Sequence, residues 1–149
     1  MKRELALAWP LAALIFLALD AAWLSGMTPL VYRREIGHLL SDRLDLLAAM
    51  LFYVLYLSGM VAFAIAPALV DRRPWRAAWR GGLLGLVCYG TYDLTNQATL
   101  RGWPWLVTLA DLAWGTLATA ITSILASAGT LAILRLAARR RWRWAPTSQ

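Results

Sequence analysis

One cysteine (Cys88), one histidine (His38) and one lysine (Lys2) are all that 149 residues hold of those types. A lone cysteine forms no intrachain disulfide, and Cys88, inside an apolar run, reads as a small core residue. Without a Cys/His cluster, zinc is disfavoured. Acids are scarce too, 8 Asp and Glu against 15 Lys and Arg, for a formal net charge of +7. Linkers and low-complexity segments are missing, which excludes a string of modules and leaves one compact unit.

Hydrocarbon is what the chain has in quantity: 60% of residues are hydrophobic and mean hydropathy is +0.56. Four apolar runs, near Leu5–Met27, Leu46–Val70, Ala77–Leu100 and Pro104–Leu134, are each long enough to span a hydrocarbon core of about 30 Å. The sequence therefore predicts an all-α integral membrane four-helix bundle over residues 1–136, followed by a basic tail, 137–149. The first run follows Lys2 and Arg3 as a signal peptide would. However, Asp20 interrupts it and no small-residue cleavage site follows, so a retained helix is expected. The fourth run exceeds the membrane thickness and must tilt, kink near Gly115 or Gly129, or project beyond it.

The charges sort by side. Lys2 and Arg3, then Arg72, Arg73, Arg76 and Arg80, then Arg135, Arg139, Arg140, Arg141 and Arg143 fall on one side of a four-span arrangement. Arg33, Arg34, Arg43 and Arg101 fall on the other, diluted by Glu35, Asp42 and Asp45. The positive-inside pattern puts both termini in the cytoplasm, where the Arg139–Trp144 run suits anionic lipid. No nucleic-acid-binding fold accompanies that tail, so a nucleic-acid partner is not expected. The outer loop, Thr28 to Asp45, carries Tyr32, Arg33, Arg34, Glu35 and His38 and has room for a short interfacial helix. His38 reads as a solvated loop residue, with a titrating lid residue as the alternative. Most tryptophans fit interfacial belts: Trp75, Trp79, Trp142 and Trp144 inside, Trp103 and Trp105 outside. Trp23 and Trp114 do not fit, and each follows an intramembrane aspartate by three residues.

Those aspartates are the chemistry. Asp20, Asp93 and Asp111 lie in three different apolar stretches that hold no lysine, arginine or histidine to pair with them. Each costs roughly 2.5–3.5 kcal/mol on insertion scales, so such residues are rare and functional by default. Asp20 and Asp93 lie seven residues before the ends of their runs at Met27 and Leu100, and Asp111 seven after Pro104. That spacing places all three about 10 Å below the outer surface. Tyr53 and Tyr56 reach a similar level. Asp111, Gly115, Thr119, Ser123 and Ser127 recur every four residues, as do Gly81, Gly85, Tyr89, Asp93 and Gln97. Small-residue stripes are where membrane helices approach closely, so Asp93 and Asp111 are expected to face other helices. For Asp20 the facing argument is weaker. Tyr89, Asp93, Asn96 and Gln97 share a face, flanked by Tyr92 and Thr95.

The run Tyr89-Gly90-Thr91-Tyr92-Asp93-Leu94-Thr95-Asn96 is the most specific motif in the chain. With Gly102-Trp103-Pro104, Asp111-Leu112-Ala113-Trp114-Gly115, Asp20-Ala21-Ala22-Trp23 and Phe52-Tyr53-Val54-Leu55-Tyr56, it resembles a family of small four-span bacterial membrane proteins of unknown function. The resemblance implies a bacterial inner (cytoplasmic) membrane location and the four-span fold, and adds no chemistry.

The residues predict an outer-half pocket with Asp20, Asp93 and Asp111 as catalytic acids. Tyr53, Tyr56, Tyr89, Tyr92, Asn96, Trp23 and Trp114 are the expected ligand-binding groups. Like charges in a low dielectric cannot all stay ionised, so one acid is protonated or a cation is bound. No cofactor is evident, though a hard divalent cation on carboxylates, Asn96 and water fits the donor types. Three readings stay open. The first is an acid/base enzyme or binding protein for a lipid-soluble small molecule. The second is a proton- or cation-coupled transporter working as a homodimer. The third is a structural subunit or assembly factor whose acids clamp its helices. A cavity open sideways or outward and sealed below favours the first; a continuous hydrated path favours the second.

Overall fold

The computed structural model describes the backbone of residues 1–143 and the side chains of residues 1–139. Trp142, Trp144 and most of the basic tail lie outside the described side chains. Four helical rods follow one another: α1 (Lys2–Glu35), α2 (Leu46–Val70), α3 (Trp75–Thr99) and α4 (Trp105–Arg143), with a single 3-10 turn, Gly37–Leu39, between α1 and α2. No strand occurs among the described residues.

Local chemistry sets the ends of the rods. The Asp45 carboxylate caps α2, its Oδ1 accepting from the Ala48 N–H at 3.0 Å, a bond that satisfies one of the donors orphaned at a helix start. Pro74 and Pro104 stand just ahead of α3 and α4, where a missing N–H costs nothing. Gly102 takes φ +73° in the α3–α4 turn. Arg72 takes φ +54° in the α2–α3 turn, a left-handed conformation that costs a non-glycine residue roughly 1–2 kcal/mol. From there its guanidinium reaches Glu4 at 3.5 Å.

Two rods contain a π-helical turn, Thr28–Tyr32 in α1 and Val61–Ile65 in α2. Proline accounts for both. Pro29 lies within the first and Pro67 two residues beyond the second. Each removes an N–H and crowds the carbonyl four residues back, and widening the turn relieves that crowding. The first π turn carries the helix past Met27, so the segment expected as an outer loop is helical as far as Glu35. His38 is exposed on the 3-10 turn that follows.

The rods alternate in direction. Leu11 meets Gly129, Asp20 meets Trp114 and Tyr32 meets Asp111, so α1 and α4 run antiparallel. The start of α1, the end of α4 and the α2–α3 turn therefore share one end of the bundle. At the other end Ile36, Trp103 and Val107 bury one another. Trp103, expected in an exposed belt, is 7% exposed; Trp75, Trp79 and Trp105 are exposed as belts require. The closest packing joins α3 to α4. A Cβ on Gly85 would run into the Gly115 carbonyl and lie 2.7 Å from Thr119 Oγ1, and one on Gly81 would lie 2.7 Å from the Thr119 carbonyl. The two small-residue stripes thus pack against each other.

Three rods are long and apolar enough to cross a membrane: Lys2–Glu35, Leu46–Val70 and, in α4, Trp105–Arg139. The third rod is long enough but less apolar, since it carries Arg76, Arg80, Asp93, Asn96 and Gln97 and three threonines, Thr91, Thr95 and Thr99, whose hydroxyls bond carbonyls of their own helix. The fourth is one unbroken helix of 39 residues, about 58 Å at the α-helical rise. It neither breaks at Gly115 nor at Gly129, so it extends past a bilayer core or tilts within it. Leu47, Leu51, Leu55 and Phe63 leave the outer side of α2 broadly apolar and exposed, as a lipid-facing surface is.

Candidate functional site

Asp20 and Asp111 are tied crosswise between α1 and α4. The Tyr53 hydroxyl donates to Asp20 Oδ2 at 2.6 Å and the Trp114 indole N–H reaches Asp20 Oδ1 at 3.4 Å. In the opposite sense, the Trp23 indole donates to the Tyr32 hydroxyl at 2.9 Å, and Tyr32 donates to Asp111 Oδ1. Between the two carboxylates the Trp23 and Trp114 rings stack, centroids 4.4 Å apart and planes 4° apart. Each Asp-x-x-Trp motif therefore lends its tryptophan to the other motif's aspartate, directly on one side and through Tyr32 on the other. Antiparallel helices related by a local two-fold make this exchange natural. Interhelical hydrogen bonds in membranes average about 0.6 kcal/mol and an aromatic stack adds about 0.5–1.5 kcal/mol, so the lattice secures the helix register.

Tyr32 reaches this lattice because of the π turn. It stands nine residues from Trp23, which at about 100° per residue would leave the two on opposite faces of a regular α-helix. The wider turn holds back the rotation and returns the phenol to the acid face. The sequence predicts a loop from Thr28, whereas the chain stays helical through Tyr32.

Asp93 is placed differently. It is 0% exposed, and neither carboxylate oxygen has a hydrogen-bond partner. A closed set of polar bonds passes beside it. The Trp103 indole donates to Thr108 Oγ1 at 3.1 Å, Thr108 donates to Gln97 Oε1 at 3.2 Å, and Gln97 Nε2 donates to the Trp103 carbonyl at 3.1 Å. Trp103 is near enough to act on Asp93 yet spends its N–H on Thr108. A buried carboxylate with no donor is costly until it takes up a proton, a cation or a ligand donor. Asp111 lies within electrostatic reach of both Asp93 and Asp20, so the three acids form one neighbourhood.

An aromatic cleft adjoins it. Phe52 and Tyr56 of α2 and Cys88, Tyr89 and Tyr92 of α3 line a partly open space of about 380 Å³. Thr119 Oγ1 donates to the Gly115 carbonyl at 2.6 Å, so Tyr56 is the donor in its own 2.6 Å bond to Thr119. The Phe52 and Tyr56 rings stack at 5.5 Å, and Tyr89 stands edge-on to Tyr56 at 6.2 Å. Tyr89 lies over Gly115, whose missing side chain admits the ring. One helical turn above Tyr89 on the same face of α3 is Asp93. Of the other expected ligand-binding residues, Tyr92 is 60% exposed at the cleft rim and Asn96 is half-buried and joins none of these bonds. Gln97, expected on the polar face of α3, does enter these bonds, and Thr108 and Trp103 join it without having been expected at the site. Among the described residues no three of His, Cys, Asp and Glu come together as a metal site.

Toward the other end of the bundle the polar groups change character. Thr122, Ser123, Ser127 and Thr130 on α4 are buried, and none of their hydroxyls has a partner.

Fold and site together define a polytopic helical membrane protein with buried carboxylates. The chain belongs to the family described as "Predicted membrane protein (DUF2177)", whose model matches residues 5–128. No curated protein and no solved structure gave a match.

Proposed function

We propose that this membrane protein binds a lipid-soluble small molecule in one half of its bundle, with Asp93 exchanging a proton with it. The observation that carries this reading is the buried Asp93 carboxylate with no hydrogen-bond partner, one turn from Tyr89 in the wall of an aromatic cleft. Ligand sites combine an apolar, aromatic lining with a few convergent polar groups, and this one has both. Asp20 and Asp111, already bonded to Tyr53 and Tyr32, hold the helices and place two further carboxylates near the exchanging one. Unequal environments of that kind separate an acid from a base. All four rods span in this reading, with the basic ends on the cytoplasmic side of a bacterial inner membrane and against anionic lipid, as the arginine asymmetry favours.

The test is extraction. Full-length protein and Asp93→Asn are purified in parallel at equal folded yield, and organic extracts are compared by mass spectrometry. A small molecule retained by the first and lost from the second supports the reading; equal retention sinks it. Loss of folding in Asp93→Asn would return Asp93 to the clamp role.

A second reading has its own support. The unpartnered hydroxyls of Thr122, Ser123, Ser127 and Thr130 continue the polar face away from the acids, as a proton- or cation-coupled transporter, acting as a homodimer, would need. Protein-dependent proton or cation flux in sealed liposomes, abolished by Asp93→Asn, would favour it over the first.

A further inference from the structure

We infer that the molecule held at this site is a lipophilic organic cation, an amine or onium with an apolar body. The inference rests on the binding reading above and names its ligand class.

Three observations converge. First, the neighbourhood of Asp20, Asp93 and Asp111 contains no basic side chain to balance it. The ion pairs among the described residues are Met1–Glu4, Arg72–Glu4 and Arg76–Asp71, all at the opposite end of the bundle. Arg33 and Arg101, the basic residues nearest in sequence to Tyr32 and Asp93 at this end, are exposed. Second, phenol and indole donors answer Asp20 and Asp111, whereas Asp93 is fully buried with no hydrogen bond made to it, the nearby Trp103 indole being bonded to Thr108. An anionic ligand would add repulsion there, and a neutral donor would answer the carboxylate with a dipole where a cation answers it with a full charge. Third, the adjoining cleft is lined by aromatic rings. Phe52, Tyr56, Tyr89 and Tyr92 surround a space of about 380 Å³, and a cation that reaches the face of such a ring is attracted most strongly where water is excluded. The apolar lining takes the body of the molecule, and Asp93 takes its charge once the Tyr89 ring turns aside. A protonated amine could leave its proton on Asp93, the N–H bond breaking as the O–H bond forms, which joins the ligand class to the proton exchange proposed above.

The experiment uses probes of matched shape and different charge: tetraphenylphosphonium, tetraphenylborate and neutral triphenylphosphine oxide. Each is equilibrated by dialysis with the full-length protein in an uncharged detergent. Saturable binding of the phosphonium, weakened about tenfold or more in Asp93→Asn, is expected from the loss of one buried charge contact. Borate binding should be indifferent to Asp93, since any that occurs belongs to the arginine-rich end. If Asp93→Asn does not fold, Phe52→Ala and Tyr92→Ala alter only exposed cleft residues. They should then weaken phosphonium binding several-fold and leave borate binding unchanged. Asp93-dependent or cleft-dependent binding of the borate or the neutral oxide at the phosphonium's level overturns the cation assignment while leaving the pocket reading standing. No saturable binding of any probe overturns the assignment too, and a failed extraction comparison beside it removes the pocket as well.

Discussion

Two helix interfaces of this bundle are held by opposite means. In the half with the acids, α1, α2 and α4 are cross-linked by side-chain hydrogen bonds and ring stacking: Tyr53 to Asp20, Trp114 to Asp20, Tyr32 to Asp111, with Trp23 on Trp114. In the other half, Gly81 and Gly85 bring α3 against α4 so closely that no Cβ fits, and Ser123 and Ser127 are buried there without a hydrogen bond. One half relies on polar partners and tolerates side-chain bulk; the other relies on backbone approach and tolerates unsatisfied hydroxyls. Asp93 is the exception in the first half, a polar group that the bracing omits. That contrast is why function is assigned to Asp93 and bracing to the other two acids.

The contrast breaks most violently at the glycines. Gly85→Leu should cost more than about 3 kcal/mol, an overpacking clash with helix backbone that cannot move aside. It should abolish folded protein on size-exclusion chromatography in detergent; a well-folded Gly85→Leu would mean the two helices do not meet as described. Asp20→Ala comes next, at about 1–3 kcal/mol, because it leaves the Tyr53 hydroxyl and the Trp114 indole without their acceptor. A fall in the thermal unfolding midpoint should report it, and Asp20→Asn, which keeps an acceptor, should recover part of the loss. Tyr32→Phe should cost about 0.6–1.7 kcal/mol and shift near-ultraviolet dichroism, since the stacked Trp23 loses its acceptor. Unchanged tryptophan dichroism would argue against the crosswise lattice. The smallest effect belongs to the unpartnered groups. Asp93→Asn and Ser127→Ala should leave the unfolding midpoint unchanged or slightly raised, because no bond is lost. A large drop in either would mean that the group has a partner after all.

Much of this was legible in the residues. Asp93 and Asp111 were placed on facing stripes by four-residue spacing alone, and Gly85 against Gly115 bears that placement out. The depth count for the three acids took Met27 as the outer end of the first helix, whereas that helix continues to Glu35. The pairing was not legible. Spacing along one helix does not say which phenol meets which carboxylate across a gap between helices. Tyr32 was hidden further, because regular α geometry puts it on the wrong face and only the π turn at Pro29 corrects the phase. Trp103 read as an interfacial belt residue by type. Its burial depends on Ile36, brought over by the helical extension of α1. Asn96 and Gln97 are adjacent amides of similar promise, and which of them enters the Trp103–Thr108 bonds follows from where α4 begins.

The sequence by itself determined that this is a helical membrane protein with three carboxylates in its apolar runs. Long apolar runs, uncompensated acids and small-residue periods are local or one-dimensional facts, and the helix converts them directly into faces and depths. Only the tertiary structure decided that two of those carboxylates are bonded and the third is left without a donor. Hydrogen bonds between helices depend on rotational phase and lateral approach to within a fraction of an ångström. Phase is set by where prolines widen a turn, and approach by which glycines meet.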